Sequence, residues 1–286
     1  MWKTCSEMTR TVLMTATGCF RPLILIVMAF LIAGAPRSSI AALVDLELVL
    51  AVDVSGSVDE DEAYLQRQGY LRAVTHEQVI AAIQSGRLGR IAMTYVEWAG
   101  DHYQNTLVDW TIVHDMKSAQ RFADKIATHP LQTEMWTSIS QSINYAIDIL
   151  ALSPHKGARR VIDLSGDGAN NSGSVVVTAR DRAVELGYTV NGLPIINGRP
   201  SPYGMPQIEN LDRYYRECVI GGPGAFIIVA NGFDDFARAI RRKLILEIAG
   251  LTPHPAGEPA RPYLASSVPS LCMTGELRRQ DYTDDY

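Results

Sequence analysis

Residues 46–57 read LELVLAVDVSGS, an apolar run from Leu46 to Val52 that ends in Asp53-Val54-Ser55-Gly56-Ser57. An apolar run of this length, bounded by a turn signal, predicts a strand buried on both faces, as in a parallel sheet. Side chains that follow such a strand lie at its carboxyl end, where open α/β sheets place their ligands. The stretch therefore predicts a central strand that leads directly into a candidate binding loop.

The loop carries a carboxylate, Asp53, and two hydroxyls, Ser55 and Ser57, at a spacing of two residues. Oxygen ligands of this kind suit Mg²⁺, and Gly56 allows the turn to be tight enough for both serines to point the same way. Asp, Ser and Gly are also ordinary turn formers, and the acidic residues 59–62 are typical of the first turn of a helix. The loop alone leaves both interpretations open, a cation site or a plain strand-to-helix turn.

The first 42 residues differ in character from the rest of the chain. Basic residues precede the apolar run 23–35, and the small residues 39–42 follow it. This order predicts a secretory signal peptide, so we expect export to the periplasm or the medium. The run is shorter than the ~20 residues of a membrane span, which predicts no stable span after cleavage. An uncleaved anchor is the alternative, and Met8 or Met14 could be the true start.

The remaining chain is acidic. Residues 1–42 hold four basic residues and one acidic residue, so the 26 Lys and Arg and 31 Asp and Glu of the chain fall to 22 and 30, a net charge of −8. A protein of this charge without a basic stripe is a poor candidate for binding nucleic acid. Cys218 and Cys272 remain after cleavage, and either a disulfide or two free thiols fits the sequence.

Beyond the first strand, strand-like and helix-like segments alternate as far as residue 248. This alternation predicts a doubly wound, mostly parallel sheet flanked by helices in a single α/β domain, 43–249, with 106–113 as an antiparallel strand. The predicted strands are 46–52, 90–98, 106–113, 159–164, 189–196 and 225–229. The predicted helices are 60–84, as one helix or as two that meet near Thr75, and 118–128, 139–150, 175–186, 208–218 and 233–248. Prolines and an acidic end predict a flexible tail over 250–286.

Two further segments supply oxygen atoms at the edge of the sheet that carries the first loop. Thr137 lies in a loop that enters a helix, and Asp167 follows the strand 159–164. If the first and fourth strands are neighbours, these residues reach Asp53, Ser55 and Ser57. The combination of D-x-S-x-S, a later threonine and an aspartate at a strand end resembles the metal-ion-dependent adhesion site of von Willebrand factor type A domains.

The resemblance extends over residues 44–249. The phrases AVDVSGS at 51–57, YVEWAG at 95–100, VIDLSGDG at 161–168 and VIGGPGAF at 219–226 are similar to an exported bacterial branch of that superfamily whose function is unknown. The resemblance implies a site for Mg²⁺ or Mn²⁺. Ser55 and Ser57 would bind the ion directly, and Asp53 and Asp167 would bind it directly or through water. Thr137 would move in and out of the first coordination shell.

Such a ligand set favours binding over catalysis. Three neutral hydroxyls and two carboxylates leave a divalent ion under-neutralised, so an open coordination position favours an Asp or Glu of a protein partner. One departure from the superfamily concerns the loop conformation: Met135-Trp136 precede Thr137 where many such domains have glycine, and Ser138 could serve in place of Thr137.

Two other functions compete with adhesion. The sequence GDGANN at 166–171 also resembles the last acidic motif of haloacid-dehalogenase-type phosphatases, with Asp53 as the nucleophile. Ser55 stands where such enzymes have a second aspartate, Asn171 stands where they have a further carboxylate, and no lysine motif is evident, so a non-enzymatic role is preferred. The third possibility is a structural or assembly module in which the metal only steadies the loops.

Overall fold

The computed structural model describes residues 41–201, 206–253 and 269–284. Within them, five strands form one sheet in the order β3-β2-β1-β4-β5, in which only β3 is antiparallel to its neighbour. The strands are β1 Ala42–Asp53, β2 Ile91–Trp98, β3 Gln104–Val113, β4 His155–Gly166 and β5 Thr189–Pro194. The predicted doubly wound α/β fold is confirmed, and the first predicted strand is the central one.

Helices cover both faces of this sheet. They are α1 Glu60–Val74, α2 Glu77–Gln84, α3 Met116–Ala127, α4 Ile139–Ala151, α5 Val176–Glu185, α6 Leu211–Tyr214, α7 Phe233–Ala249 and α8 Thr274–Asp284. A π-helical turn, Tyr215–Val219, follows α6 directly. None of these helices, in the described part of the chain, is long and apolar enough to cross a membrane.

Strand β1 divides the core into two halves. Leu48 and Leu50 belong to the cluster formed with α1, α2, α3 and α7, whereas Val49 and Ala51 belong to the cluster formed with α4, α5 and α6. Successive side chains of a strand point to opposite faces, so a strand in the middle of a sheet with two covered faces must be apolar throughout. The continuous apolar run of the sequence follows from this central position.

The segment 225–229 is not the strand that we predicted. Its backbone meets β5 only at isolated bridges, which pair Gly192 with Ile227 and Ile195 with Ala230. The backbone N–H of Phe226 instead donates to the Asn191 side chain, at 3.0 Å. A side-chain amide thus replaces part of the expected ladder, and the predicted helix 208–218 is likewise shortened to α6 and the π turn.

The end of the chain also departs from the predicted flexible tail. Residues 254–268 and 285–286 lie outside the described residues, but Ser270–Met273 form a 3₁₀ turn that leads into α8. Cys272 is fully buried and forms a disulfide with Cys218, with 5.4 Å between the two Cα atoms. Composition alone suggested disorder because it does not take this covalent attachment into account. Most of the predicted signal peptide, residues 1–40, lies outside the described residues, so the domain boundaries remain predictions.

A buried ionic cluster fixes α7 to the sheet. The Lys243 ammonium lies 2.6 Å from Asp163 Oδ1 on β4 and 2.5 Å from Glu247 Oε1, and all three side chains are fully buried. Asn191 Nδ2 also donates to Glu247 Oε1, at 2.9 Å. Burial and then the charge of Asp163 raise the pKa of Glu247 from 4.5 to about 8, although Lys243 opposes the rise. One ammonium cannot neutralise two carboxylates, so Glu247 retains a proton near neutral pH.

This proton makes stability depend on pH. The folded state keeps it in a window between the ordinary pKa of 4.5 and about 8, where the unfolded chain has released it. The free energy of unfolding therefore falls as pH rises through that window and levels off above it. We expect Glu247→Gln to reduce the fall between about pH 6 and 8, by up to about 1.4 kcal/mol per pH unit. Urea unfolding at several pH values measures this slope.

The control is the same substitution at Glu185, which is exposed on α5. Glu185→Gln should leave the slope as it is in the parent protein. Equal slopes for Glu247→Gln and the parent would contradict the assignment of the retained proton.

Candidate metal-binding site

The parallel pairing of β1 with β4 creates the site. Their register places Val52 beside Ser165, so the loops that follow the two strands leave the same edge of the sheet. Asp53 ends β1, and Asp167 comes directly after β4. Because neighbouring parallel strands bring their carboxyl ends together, two carboxylates that are far apart in sequence become neighbours.

Hydrogen bonds connect four of the five predicted site residues. Ser55 N donates to Asp53 Oδ1 at 2.7 Å, the hydroxyls of Ser55 and Ser57 lie 3.1 Å apart, and Ser57 Oγ donates to Asp167 Oδ1 at 2.6 Å. The fifth, Thr137, lines the same cavity as Ser57 and Asp167. The structure thus brings together all five residues that the sequence selected.

Asn171 holds the Thr137 loop against the end of β4. Its side-chain oxygen accepts from Thr137 N at 2.8 Å, and its own N–H donates to the Thr137 carbonyl at 2.8 Å. Asn170 makes a similar contact, since its side-chain oxygen accepts from Ser140 N in the first turn of α4, at 2.9 Å. Both asparagines therefore position the site rather than simply making a turn. Their role depends on contacts that no local pattern reveals.

Ser138, the alternative ligand, has another role. It is fully buried, its hydroxyl donates to the Ser172 carbonyl at 2.8 Å, and its oxygen accepts from Gln141 N as the cap of α4. An N-cap side chain satisfies a free N–H group in the first turn of a helix. The structure therefore favours Thr137 over Ser138 as the site residue of this loop.

The residue before Thr137 adopts a conformation that normally favours glycine. Trp136 has φ 68°, in the left-handed region, which costs a side chain with a Cβ about 1–2 kcal/mol. Its indole ring lies under the guanidinium of Arg279, 4.0 Å from the ring centroid. The loop therefore holds a left-handed residue at the position where the resemblance led us to expect glycine, and a cation–π contact accompanies it.

The two carboxylates at the site oppose each other electrostatically. Burial, and then the charge of Asp167, raise the pKa of Asp53 well above its ordinary value. Burial raises the pKa of Asp167 to about 6, with Glu62 adding to the rise and the Ser57 hydrogen bond opposing it. No cationic side chain is among the groups that shift either pKa. Both carboxylates would become easier to ionise if a cation lay beside them.

The ligand atoms fit a hard divalent cation. Asp53 Oδ2 is buried and accepts no hydrogen bond from the described residues, and the Tyr215 hydroxyl nearby is equally unpartnered there. The described residues contain no cluster of three or more His, Cys, Asp or Glu that could hold a metal, so the candidate is the mixed set of hydroxyls and carboxylates. Such an all-oxygen set suits Mg²⁺ or Mn²⁺ better than a softer metal.

A cavity of about 360 Å³ opens beside Ser57, Thr137 and Asp167. It is also lined by arginines that the sequence analysis did not connect with the site, namely Arg199, Arg278 and Arg279. The last two belong to α8, in the segment that composition had assigned to a flexible tail. The pair of adjacent arginines was visible in the sequence, but its position was not.

Comparisons of the fold now define the class of protein. The chain is similar to a von Willebrand factor type A protein from Catenulispora acidiphila, with 13% identity over 72% of this chain and 43% of that one and a TM-score of 0.50. It is also similar to the pilus adhesin SpaC from Lactobacillus rhamnosus GG, with 14% identity over 72% and 30% of the two chains and a TM-score of 0.53. At these identities the likeness shows the fold, which is that of a von Willebrand factor type A domain.

A third similar structure is proximal thread matrix protein 1 from the mussel byssus with a zinc-occupied MIDAS motif. The identity is 15% over 73% of this chain and 49% of that one, and the TM-score is 0.50. This chain thus spans less than half of the length of each of the three proteins. A sequence comparison with curated proteins finds no match.

The particular family is shown by sequence. Residues 43–252 match the family described as "Protein of unknown function (DUF1194)", and the chain belongs to it. The match covers β1 to α7 and therefore contains all five candidate site residues, whereas α8 lies beyond its end.

Gly166 is expected to be essential to the packing of this site. A Cβ at this position would lie 2.7 Å from both Asp53 Oδ2 and the Tyr215 hydroxyl, whereas a Cβ at Gly168 would meet nothing closer than 3.6 Å. We expect Gly166→Ala to lower the free energy of unfolding by about 1–3 kcal/mol, because buried atoms must move apart. Gly168→Ala, the matched control, should change it by less than about 0.5 kcal/mol. Urea unfolding measures both, and equal values would contradict the close packing.

Proposed function

We propose that this protein is an exported, metal-dependent protein-binding domain, which holds an acidic side chain of a partner through one Mg²⁺ or Mn²⁺. The observation that supports this most strongly concerns buried charge. In the described residues, four buried carboxylates form ion pairs: Glu47 with Arg160, Glu97 with Arg67, and both Asp163 and Glu247 with Lys243. Asp53 and Asp167 are buried as well but take part in none of the ion pairs found there.

A buried carboxylate without a cation is costly, and here two of them are close together. A divalent ion would supply the missing positive charge. The hydroxyls of Ser55 and Ser57 would bind it directly, Asp53 and Asp167 directly or through water, and Thr137 from the opposite loop. The two carboxylates balance the charge of the ion but do not fill its coordination shell, so an open position remains for an anionic oxygen from outside.

The similar proteins support this proposal. One of them is a pilus adhesin, and another has a MIDAS motif occupied by zinc. We extend metal binding and protein binding to this chain because its own residues place hydroxyl and carboxylate oxygens at one edge of the sheet. Mg²⁺ or Mn²⁺ is preferred to zinc because the set lacks nitrogen and sulfur ligands.

Export is supported by the covalent structure. The Cys218–Cys272 disulfide fits an oxidising compartment such as the periplasm or the medium. The predicted signal peptide, residues 1–42, points to the same location, and we propose that no membrane span remains after its cleavage.

The phosphatase alternative is weakened by the position of Asp53. The side chain is fully buried, and its Oδ1 accepts a hydrogen bond from the backbone of its own loop. A nucleophile must reach the substrate, and Asp53 is placed to support the loop instead. A structural role for the metal, without a partner, is distinguished by the second experiment below.

Asp167→Asn tests metal binding. This substitution keeps the shape of the side chain and removes one of the two opposed charges, so the metal-free variant should be more stable than the parent protein. Its affinity for Mg²⁺ or Mn²⁺ should fall at least about tenfold, because a ligand charge is lost. Calorimetric titration measures the affinity, and melting temperatures in EDTA and in Mg²⁺ measure the stability.

Asp109→Asn is the matched control, since Asp109 is exposed on β3. It should change neither the affinity nor the response of the melting temperature to Mg²⁺. A parent protein that takes up neither ion, or an Asp167→Asn variant that binds as tightly as the parent, would disprove the proposed metal site.

Partner capture tests the adhesive role. Immobilised protein should retain a partner from an envelope extract in Mg²⁺ and release it in EDTA, because the bridging ion is removed. Ser57→Ala should retain at least about tenfold less partner, since it removes a direct ligand. Ser85→Ala is the control; the Ser85 hydroxyl lies on the surface after α2 and donates to Ala82 O. Stabilisation by Mg²⁺ without metal-dependent capture would support the structural role and contradict adhesion.

A further inference from the structure

The cavity beside the candidate metal site has a second wall that lies outside the family match. One side of the cavity is formed by the loops that carry Ser57, Thr137 and Asp167. The other side includes Gly275, Arg278 and Arg279 of α8, a helix that begins beyond residue 252, where the family match ends. A ligand that reaches the metal site through this cavity therefore meets residues that belong to the C-terminal segment of this chain.

Helix α8 is attached firmly to the loops of the site. Gly275 packs so closely on Asn170 that a Cβ would stand 2.0 Å from the Asn170 carbonyl oxygen. Asn170 Nδ2 donates to Glu276 Oε1 at 2.7 Å, and Arg279 donates to the Asn171 carbonyl at 3.0 Å. The disulfide at Cys272 anchors the segment two residues before α8 begins. These contacts make α8 a fixed part of the cavity.

The arginines around the cavity differ in what they contact. Arg279 is partly buried and is engaged with Trp136 and Asn171. Arg199 and Arg278 are exposed; Arg278 makes a long hydrogen bond of 3.3 Å to the Pro206 carbonyl, and the charge of Arg199 acts on Glu62. The guanidinium groups of Arg199 and Arg278 are thus the cationic groups at the cavity with the most freedom to meet a ligand.

We infer that the cavity selects a partner segment with two neighbouring carboxylates. This inference rests on the proposed function: one carboxylate takes the open position on the divalent ion, and the second pairs with Arg199 or Arg278. Guanidinium groups bind carboxylates through paired hydrogen bonds, which makes them suited to select such a group. The volume of about 360 Å³ is within the range of ligand pockets and leaves room for a short acidic peptide segment.

The acidic groups at the cavity do not cancel this preference. They are Asp167, which belongs to the metal site, and Asp281, near the end of α8. With a divalent ion in place, the ion and three guanidinium groups face three carboxylates, those of Asp53, Asp167 and Asp281, so positive charge remains in excess. A second anionic group on the ligand therefore gains attraction at the α8 side of the cavity.

The test compares two labelled peptides in Mg²⁺ by fluorescence anisotropy. The first is blocked Gly-Asp-Asp-Gly, and the second is blocked Gly-Asp-Ser-Gly, which carries one carboxylate. We expect the diacidic peptide to bind about two- to fivefold more tightly, the gain typical of a partly exposed ion pair. The combined variant Arg199→Gln and Arg278→Gln should lose this preference, whereas Arg199→Lys with Arg278→Lys should keep part of it.

Arg87→Gln is the matched control. Arg87 is exposed just before β2 begins, at the opposite edge of the sheet from the site, so the preference should persist in this variant. Titration with Mg²⁺ alone is done first, and an absence of uptake there would overturn the proposed function itself. Uptake of Mg²⁺ without a preference for the diacidic peptide, or a preference that survives the double Gln variant, would overturn the role of the arginines. Tighter binding of free succinate than of the peptide would overturn the assignment of a peptide ligand.

Discussion

Two carboxylates, those of Asp53 and Asp167, are forced together by the pairing of β1 with β4, and the rest of the site depends on this constraint. Parallel strands end at a common edge, so the chain cannot bury β1 in the middle of its sheet without bringing the following loops into contact. The serine hydroxyls then join the two acids in a chain of hydrogen bonds. Asn171 holds Thr137 beside them, because its side-chain oxygen accepts from Thr137 N and its backbone N–H donates to the Thr137 carbonyl. Two buried carboxylates of like charge cost stability at this edge, and we expect a bound cation to offset that cost.

The sequence predicted the fold, and it selected five polar residues that the structure brings to one edge of the sheet. Their role as metal ligands is a prediction that rests on the family resemblance. A run that is apolar except for Glu47 indicates a strand covered on both faces, and a D-x-S-x-S loop directly after it places the oxygen atoms at the carboxyl end. These two steps need only the residues of one segment and a general property of sheets. That β1 and β4 are neighbours was a condition of the prediction, and the strand order of the structure meets it. The identity of the bound ion and of the partner needs more than this, which is why they remain proposals.

What the sequence did not predict depends on contacts between distant segments. Helix α8 was assigned to a flexible tail because the prolines before it and the polar residues within it resemble disordered sequence. Its order comes from the Cys218–Cys272 disulfide and from Gly275, whose missing side chain lets the helix approach Asn170. The prediction of a strand at 225–229 was wrong for a similar reason. The Asn191 side chain accepts the hydrogen bond of the Phe226 N–H, which would have gone to a backbone carbonyl in a regular strand. Neither partner could be identified from spacing alone.

Trp136 illustrates both the local pattern that the sequence shows and the distant contact that it does not show. The sequence showed that a large aromatic residue stands where related sites often have glycine, but it could not show whether the loop would change its conformation. In the structure the loop keeps a left-handed residue, and the ring that causes the strain also packs against Arg279 of α8. A glycine would relieve the strain and leave Arg279 without its aromatic contact. Trp136 therefore links the Thr137 loop to the C-terminal helix, and the arginines of that helix line the same cavity as Ser57, Thr137 and Asp167.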